Sequence, residues 1–481
     1  MKFKKMLAIF LSAALFVTAF AGCGKKKADG ITVQIGPNPE TLDPALNSAV
    51  DGGNMLITLF ETLLIIDQDN KVQPGQAEKY EVSPDGLTWT FTMRDGLKWS
   101  DGTDLNAKDF EYTFKRIADT NVAAPYAETV IGMIEGYKDA IDSKNPEKLN
   151  VKASDDGKTL TIKLAYPCSY FDKIVAFGTM SPVQKATVEK NGDSWATKPE
   201  TYVCNGPYTI TEWTPSEKIV CKKNENYKGG WDSSKIVNDK LTFLLLEDSS
   251  ASYTAYTGGT AQLIKDVPTE EIPTLKKDKK DEFNVDPILG TYYLSMNLNK
   301  APFNNKNVRK ALSLAIDRDY VANTVMQGTY TPAYNYVGTG VDDVDTGKFL
   351  ENSKAANGGK TYISEDYKAN LEEAKKALAE AGYPEGKGFP TITYSTNDTG
   401  YHKAVAEYLQ QVYKDLGITM NIDIVDWSSF TPQRRAGEYE MARNGWVMDY
   451  NDASNMIELF TSTNGNNDGK YNNPALDKAM N

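Results

Sequence analysis

His402 is the one histidine in a chain of 481 residues, so a serine or cysteine nucleophile that needed an imidazole base would have a single candidate. No serine stands in a Gly-x-Ser-x-Gly elbow, and a lone histidine cannot supply the paired ligands of a zinc site. Gly359-Lys360-Thr361 has the tail of a phosphate-binding loop, but the opening glycine of that loop falls on Lys354, so the match fails. Cys168, Cys204 and Cys221 follow no metal-ligand spacing and are odd in number, which argues against a disulfide framework. Cys204 and Cys221 flank a predicted hairpin turning near Thr214-Pro215, whose register would set Cys221 opposite a residue near position 209. All three are therefore read as small buried hydrophobes. Acidic doublets such as Asp155-Asp156 and Glu372-Glu373 are ordinary in a chain with 65 acidic residues, and read as solvated turn and helix-face positions. The residues point to binding rather than to an enzyme, and no metal or cofactor is expected.

The net charge is −12, and no basic block follows Lys25-Lys26-Lys27. That balance argues against nucleic acid as a partner, because phosphate binding needs clustered Lys and Arg.

The elements that must position any site are legible in outline. Ile31 to Ile35 reads as a first strand. Ser83-Pro84-Asp85-Gly86 is turn chemistry, after which Leu87, Trp89, Phe91 and Met93 alternate with polar residues as a strand with one wet face. Asn106 can cap a helix with Asp109 at its third position and Phe110, Phe114 and Ile117 as its buried stripe. A second hairpin turns at Asp156-Gly157. Beyond residue 286, Asn305 caps a helix bearing Val308, Ala311, Leu312, Ala315 and Ile316 on one face. A further helix runs from about Glu365 to Ala381 and stops at Gly382. A strand around Thr391 to Tyr394, a helix with Val405, Leu409, Val412 and Leu416 inward, and a strand through Ile418 to Ile424 then imply parallel pairing and an α/β domain.

The two ends have their own signals. Met1 to Lys5 is a short basic stretch and Leu7 to Phe20 an apolar run, the layout of a secretory signal. Ala21-Gly22-Cys23 resembles the lipobox of bacterial lipoproteins, with Phe20 in place of the usual leucine. Residues 1–22 are read as a signal peptide, Cys23 as the lipidated residue, and 23–30 as a flexible tether. The remaining body of about 450 residues is long enough for two to three domains. At the other end, Asn473-Pro474 starts a helix that Asn481 cuts short, and the chain is read as a C-terminal truncation.

Several motifs match one family in the right order. Thr41-Leu42-Asp43-Pro44, Ser83 to Trp89, Lys98-Trp99-Ser100-Asp101-Gly102, Ala107-Lys108-Asp109-Phe110, Asn299 to Asn304 with Val308 to Leu312, and Ala381-Gly382-Tyr383 closely resemble the oligopeptide- and dipeptide-type extracytoplasmic solute-binding proteins of ABC importers. The resemblance implies an α/β clamp of two lobes with a further domain inserted in the first. That assigns 31–60 and 182–288 to lobe I, 61–181 to the inserted domain and 289–481 to lobe II. Family members return to lobe I in a final segment that does not appear here.

Between His402 and Asp449 the chain resembles the peptide site of the oligopeptide-binding branch. The resemblance implies that Asp449 takes the ligand's α-ammonium and that backbone near Trp446 and Val447 pairs with the peptide as an added strand. Arg443, Arg434 and His402 would serve its carboxylate end, Trp446 and Trp427 would form pocket walls, and Tyr126 would reach the ligand from the inserted domain. Two acidic ligand contacts of the family fall on Ser48 and Ser295, and a lysine is replaced near Met326. The implied protein is a monomer, held to the cell membrane by lipid on Cys23, that passes extended peptides to a permease. Alternatives are a dipeptide, nickel-complex or oligosaccharide ligand, or a signalling or adhesion lipoprotein on the same scaffold.

Overall fold

The computed structural model describes residues 30–69, 71–343, 347–397 and 400–480. The expected signal peptide and Cys23 lie outside the described residues.

Strand β1 (Ile31–Gln34) and helix α1 (Val50–Leu59) lead into the short pair β2 (Leu64–Ile66) and β3 (Val72–Pro74). A four-stranded antiparallel sheet follows from β4 (Ala77–Val82), β5 (Thr88–Met93), β6 (Val151–Ala153) and β7 (Thr159–Lys163), ordered β4-β5-β7-β6, with helix α2 (Ala107–Ala118) between its inner and outer hairpins. The chain then returns to β1. Strands β8 (Tyr208–Thr214), β9 (Lys218–Lys223) and β10 (Lys240–Leu244) complete the order β1-β10-β9-β8, with β1 parallel to β10. A separate sheet takes up β11 (Gly290–Met296), β12 (Ile392–Asn397), β13 (Met420–Val425) and β14 (Met441–Val447), ordered β11-β14-β12-β13. It carries α3 (Lys306–Leu314), α4 (Tyr367–Glu380), α5 (Gly400–Asp415) and α6 (Trp427–Ala436).

Two large cores hold most of the buried apolar residues. One runs from Ile35 to Leu245 and takes in both the first sheet and the four-stranded antiparallel sheet; Tyr450 joins it from the far end of the chain, with Trp446 packed against it. The other runs from Phe303 to Met441, and two small clusters, around Val337 and Met456 and around Trp427 and Phe430, lie apart from both. The protein is thus a two-lobed α/β clamp. The antiparallel sheet of β4 to β7 shares the first lobe's core instead of enclosing one of its own.

Local chemistry accounts for most element ends. In β5 alternate residues Trp89, Phe91 and Met93 are buried. Asn106 and Asp109 form a reciprocal capping box on α2. Helix α4 is capped by Asp366, whose side chain accepts from Ala369 N at 3.1 Å, and it ends before Gly382, whose φ of +96° favours glycine. All three described cysteines are buried and free. Cys221 lies opposite Ile210, one residue from the predicted register, because a bulge interrupts β8 between Ile210 and Glu212.

Asp43 of the Thr41-Leu42-Asp43-Pro44 motif is a buried anchor. Its two oxygens accept from Arg116 of α2 at 2.9 and 2.6 Å, and Trp195 Nε1 donates to it at 2.9 Å. A buried carboxylate held by a bidentate guanidinium and an indole is a strong tie between distant segments.

Candidate functional site

The sheet of the second lobe leaves part of one strand unpaired. Strand β14 pairs with β11 along its whole length, from Met441 to Val447. On its other side, β12 reaches only Met441 and Ala442. Met448 N donates to Leu289 O at 2.8 Å, so by antiparallel alternation the backbone groups of Trp446 face β11 and those of Gly445 and Val447 face outward. The Gly445 N–H folds back onto Asn444 Oδ1 at 2.9 Å. The edge at Val447, 39% exposed, can pair with an added extended chain.

A carboxyl group closes one end of this edge. Asp449 Oδ1 accepts from Tyr126 Oη at 3.3 Å, and Oδ2 accepts from Asn455 Nδ2 at 3.1 Å. Tyr126 comes from the first lobe, so the acid sits where the two lobes meet. Asn455, fully buried, is a hub. Its Oδ1 accepts from Trp446 Nε1 at 3.1 Å and from Asp449 N at 2.9 Å, and its Nδ2 also donates to Glu458 Oε1 at 3.3 Å. The Trp446 ring packs on Tyr126, with centroids 5.7 Å apart. Burial pushes the Asp449 carboxyl up to about 7 against the two hydrogen bonds that pull it down. Burial and then the Asp449 charge push Glu458 up to about 8. Neither acid has a Lys or Arg within ion-pair distance among the described residues. Two neighbouring carboxyls that resist ionisation where the lobes meet are an environment in which a cation is favoured.

The other end is basic. Arg443 donates to His402 Nε2 from Nε at 3.1 Å, and its Nη2 lies 3.0 Å from the same nitrogen; its guanidinium lies over the Trp427 ring, 5.1 Å from the centroid. His402 is buried in α5. Burial, then the charges of Arg443 and Lys265, hold its imidazole well below its usual range. It is neutral, with Nε2 accepting from Arg443 and the proton on Nδ1 facing Tyr292 Oη at 3.2 Å. His402 therefore orients Arg443 and adds no charge. Between Arg443 and the end of the strand at Val447 the backbone advances roughly 14 Å at ~3.4 Å per residue, the span of an extended peptide of about four residues, and Asp449 follows two residues further on.

Arg434 is placed differently. Its Nε pairs with Asp468 Oδ2 at 2.8 Å, Nη1 donates to Arg443 O at 3.2 Å, and the side chain is 11% exposed. Ser295 bonds Tyr439 Oη at 2.8 Å, Met326 lies in the second lobe's core, and Ser48 accepts from Arg435 across the lobes. Asn455, Glu458 and Tyr292 were not expected from sequence, which offers no signal for them outside the fold.

The lobes touch at several further points. Arg435 reaches Glu40 at 3.5 Å, Asn397 Nδ2 donates to Glu247 at 3.1 Å, and Thr463 Oγ1 donates to Glu128 at 2.7 Å. Gly465 approaches Pro125 so closely that a Cβ would lie 2.5 Å from its carbonyl oxygen. Asp51 of α1 is 3% exposed, with Trp427 as its polar neighbour from the second lobe. Burial, opposed by Lys265, pushes this carboxyl up to about 6. A raised acid costs almost nothing at pH 3, where it is protonated folded or unfolded, and the cost grows from there to its full size above pH 6. Asp51→Asn is expected to raise stability by about 1–2 kcal/mol at pH 7.5 and by almost nothing at pH 3, read by thermal unfolding at both pH values.

Comparison with known proteins agrees with this architecture. The sequence model of the bacterial extracellular solute-binding proteins, family 5 Middle, matches residues 71–468. The chain is 36% identical to the periplasmic oligopeptide-binding protein OppA of Salmonella typhimurium, over 99% of this chain and 85% of that protein. Its structure is similar to Haemophilus influenzae OppA in complex with the peptide RPPGFSPFR, with a TM-score of 0.86 and 33% identity over 95% of this chain and 87% of that one. The murein tripeptide-binding protein MppA of Escherichia coli (31% identical, covering 93% and 85% of the two chains) matches at 0.84. Its unliganded open form (32% identical, 94% and 85%) matches at only 0.58. With lobes of one fold in both cases, that fall is a difference in how the lobes are set, and the interlobe contacts above are those of a closed clamp. The chain belongs to family 5 of the bacterial extracellular solute-binding proteins.

Proposed function

We propose that this protein captures extended oligopeptides outside the cytoplasm and passes them to the permease of an ABC importer. The observation that carries the reading is the unpaired edge of β14 with Asp449 just beyond its end, a carboxyl that has no Lys or Arg at ion-pair distance among the described residues. The peptide lies along the edge as an added strand, its α-ammonium on Asp449 and Tyr126, its other end toward Arg443. Backbone pairing reads no side chains, so sequence preference is broad. The similar proteins whose printed names describe oligopeptide binding support the same cargo.

The protein works as a binding clamp and not as an enzyme. It acts as a monomer, held to the membrane by lipid on Cys23. Residues 31–60 with 182–288 form lobe I, 61–181 the inserted domain, and 289–481 lobe II. Arg434 supports the strand that carries Arg443, and the ligand's far end falls to Arg443 with Trp427.

Calorimetry with a pool of tri- to pentapeptides, before and after N-acetylation, tests the reading. Free peptides are expected to bind and acetylated ones to lose most of their affinity. Equal binding of both pools would remove the α-ammonium assignment. Metal or sugar in the fraction that co-purifies with the protein would replace peptide as cargo.

A further inference from the structure

The amino-end pocket holds more carboxyl groups than one α-ammonium can pair. Asp449 and Glu458 share one neutral donor, Asn455 Nδ2, at 3.1 and 3.3 Å. Glu458 is also held by Thr129, and Glu128 stands close enough to raise it further. Among the described residues none of these three carboxyls has a Lys or Arg at ion-pair distance. Asn455 is fully buried with both ends of its amide engaged, so it cannot turn to give either acid a second donor.

We propose that Glu458 is a specificity-determining residue that favours peptides carrying two positive charges at the amino end, that is, peptides whose first residue is lysine or arginine. This rests on the reading that Asp449 takes the α-ammonium. With a neutral first side chain, one ammonium ionises Asp449, and Glu458 must either stay protonated or bear an unbalanced charge beside it. Burial pushes Glu458 up to about 8, which makes protonation its resting answer at neutral pH. A lysine or arginine side chain lets both acids ionise, each with its own cation. Asn455 is the positioning residue, because it spaces the two carboxyls while touching neither cation.

The test compares Lys-Ala-Ala, Nε-acetyl-Lys-Ala-Ala, norleucine-Ala-Ala and Ala-Ala-Ala by calorimetry at pH 7.5, on the full chain and on Glu458→Gln. The readout is the ratio of affinities for the lysine and norleucine peptides within each protein, which is insensitive to a general loss of binding. Lysine is expected to be favoured about tenfold over both norleucine and acetyl-lysine, and the ratio to fall to about one in Glu458→Gln. A ratio near one in the unsubstituted protein, or a tenfold ratio that survives Glu458→Gln, overturns the assignment. Failure of all four peptides to bind would overturn the peptide-binding function itself, and this inference with it. Equal binding of all four would leave that function standing and remove only the role of Glu458.

Discussion

Asp449→Asn is expected to weaken binding of a free tripeptide by about a hundred- to a thousandfold, or about 3–4 kcal/mol. Removing one partner of a desolvated charge pair strands the other, and such changes cost 2–5 kcal/mol or more. The direction for the empty protein is opposite. The raised carboxyl is a burden on the closed form at pH 8 until a ligand enters, and asparagine relieves both its burial and its repulsion of Glu458. Ligand-free Asp449→Asn should therefore unfold at the same temperature as the parent or above it, while titration calorimetry records the lost affinity. A variant that lost stability along with binding would mean that Asp449 is a structural acid at the start of a turn. Retention of full affinity would mean that the α-ammonium lies elsewhere.

Peptide affinity should fall by up to about a hundredfold between pH 7 and pH 5. In the closed cleft, burial raises the Asp449 carboxyl to about 7. An ammonium bound against it brings the value down, so closing on a peptide below pH 7 must expel a proton. Each pH unit below 7 then weakens binding by up to about tenfold, and the release appears in calorimetry as an enthalpy that varies with the buffer's heat of ionisation. Above about pH 8 the α-amino group of the peptide itself loses its proton, so affinity passes through a maximum near neutrality. His402 works against no part of this profile near neutrality, because burial and then Arg443 hold its imidazole well below the usual range. A flat profile from pH 5 to 8 would leave no room for a raised acid in the site.

Closure explains why these groups behave as they do. Tyr126 and Asp449 are separated by 323 residues of sequence and meet only when the lobes meet. So do Arg435 with Glu40 and Thr463 with Glu128. Each is a modest polar contact on its own. A bound peptide adds differential contact free energy to the closed form alone, which is what a clamp needs in order to respond to its cargo.

Much of this protein could be read from the chain before any coordinates. Hairpin turns at Ser83 to Gly86 and Asp156-Gly157, the capping box of Asn106 and Asp109, and the parallel pair β12 and β13 follow from residues close in sequence, where turn chemistry and side-chain period act directly. Asp449, Trp446 and Arg443 were marked by their place in one short segment. What sequence could not decide was which polar groups in that segment are free. Arg434 and Arg443 are the same residue type nine positions apart, yet one meets Asp468 at 2.8 Å while the other meets a neutral histidine. Asn455 and Glu458 carry no motif and enter the site only because a short helix and the 3-10 turn that follows it bring them toward Asp449. The edge of β14 is open because β12 stops short of it, a matter of strand length and register in the folded sheet. Local chemistry sets turns and caps over a few residues, whereas the charge left unbalanced in a cleft is decided by partners that only folding brings within reach.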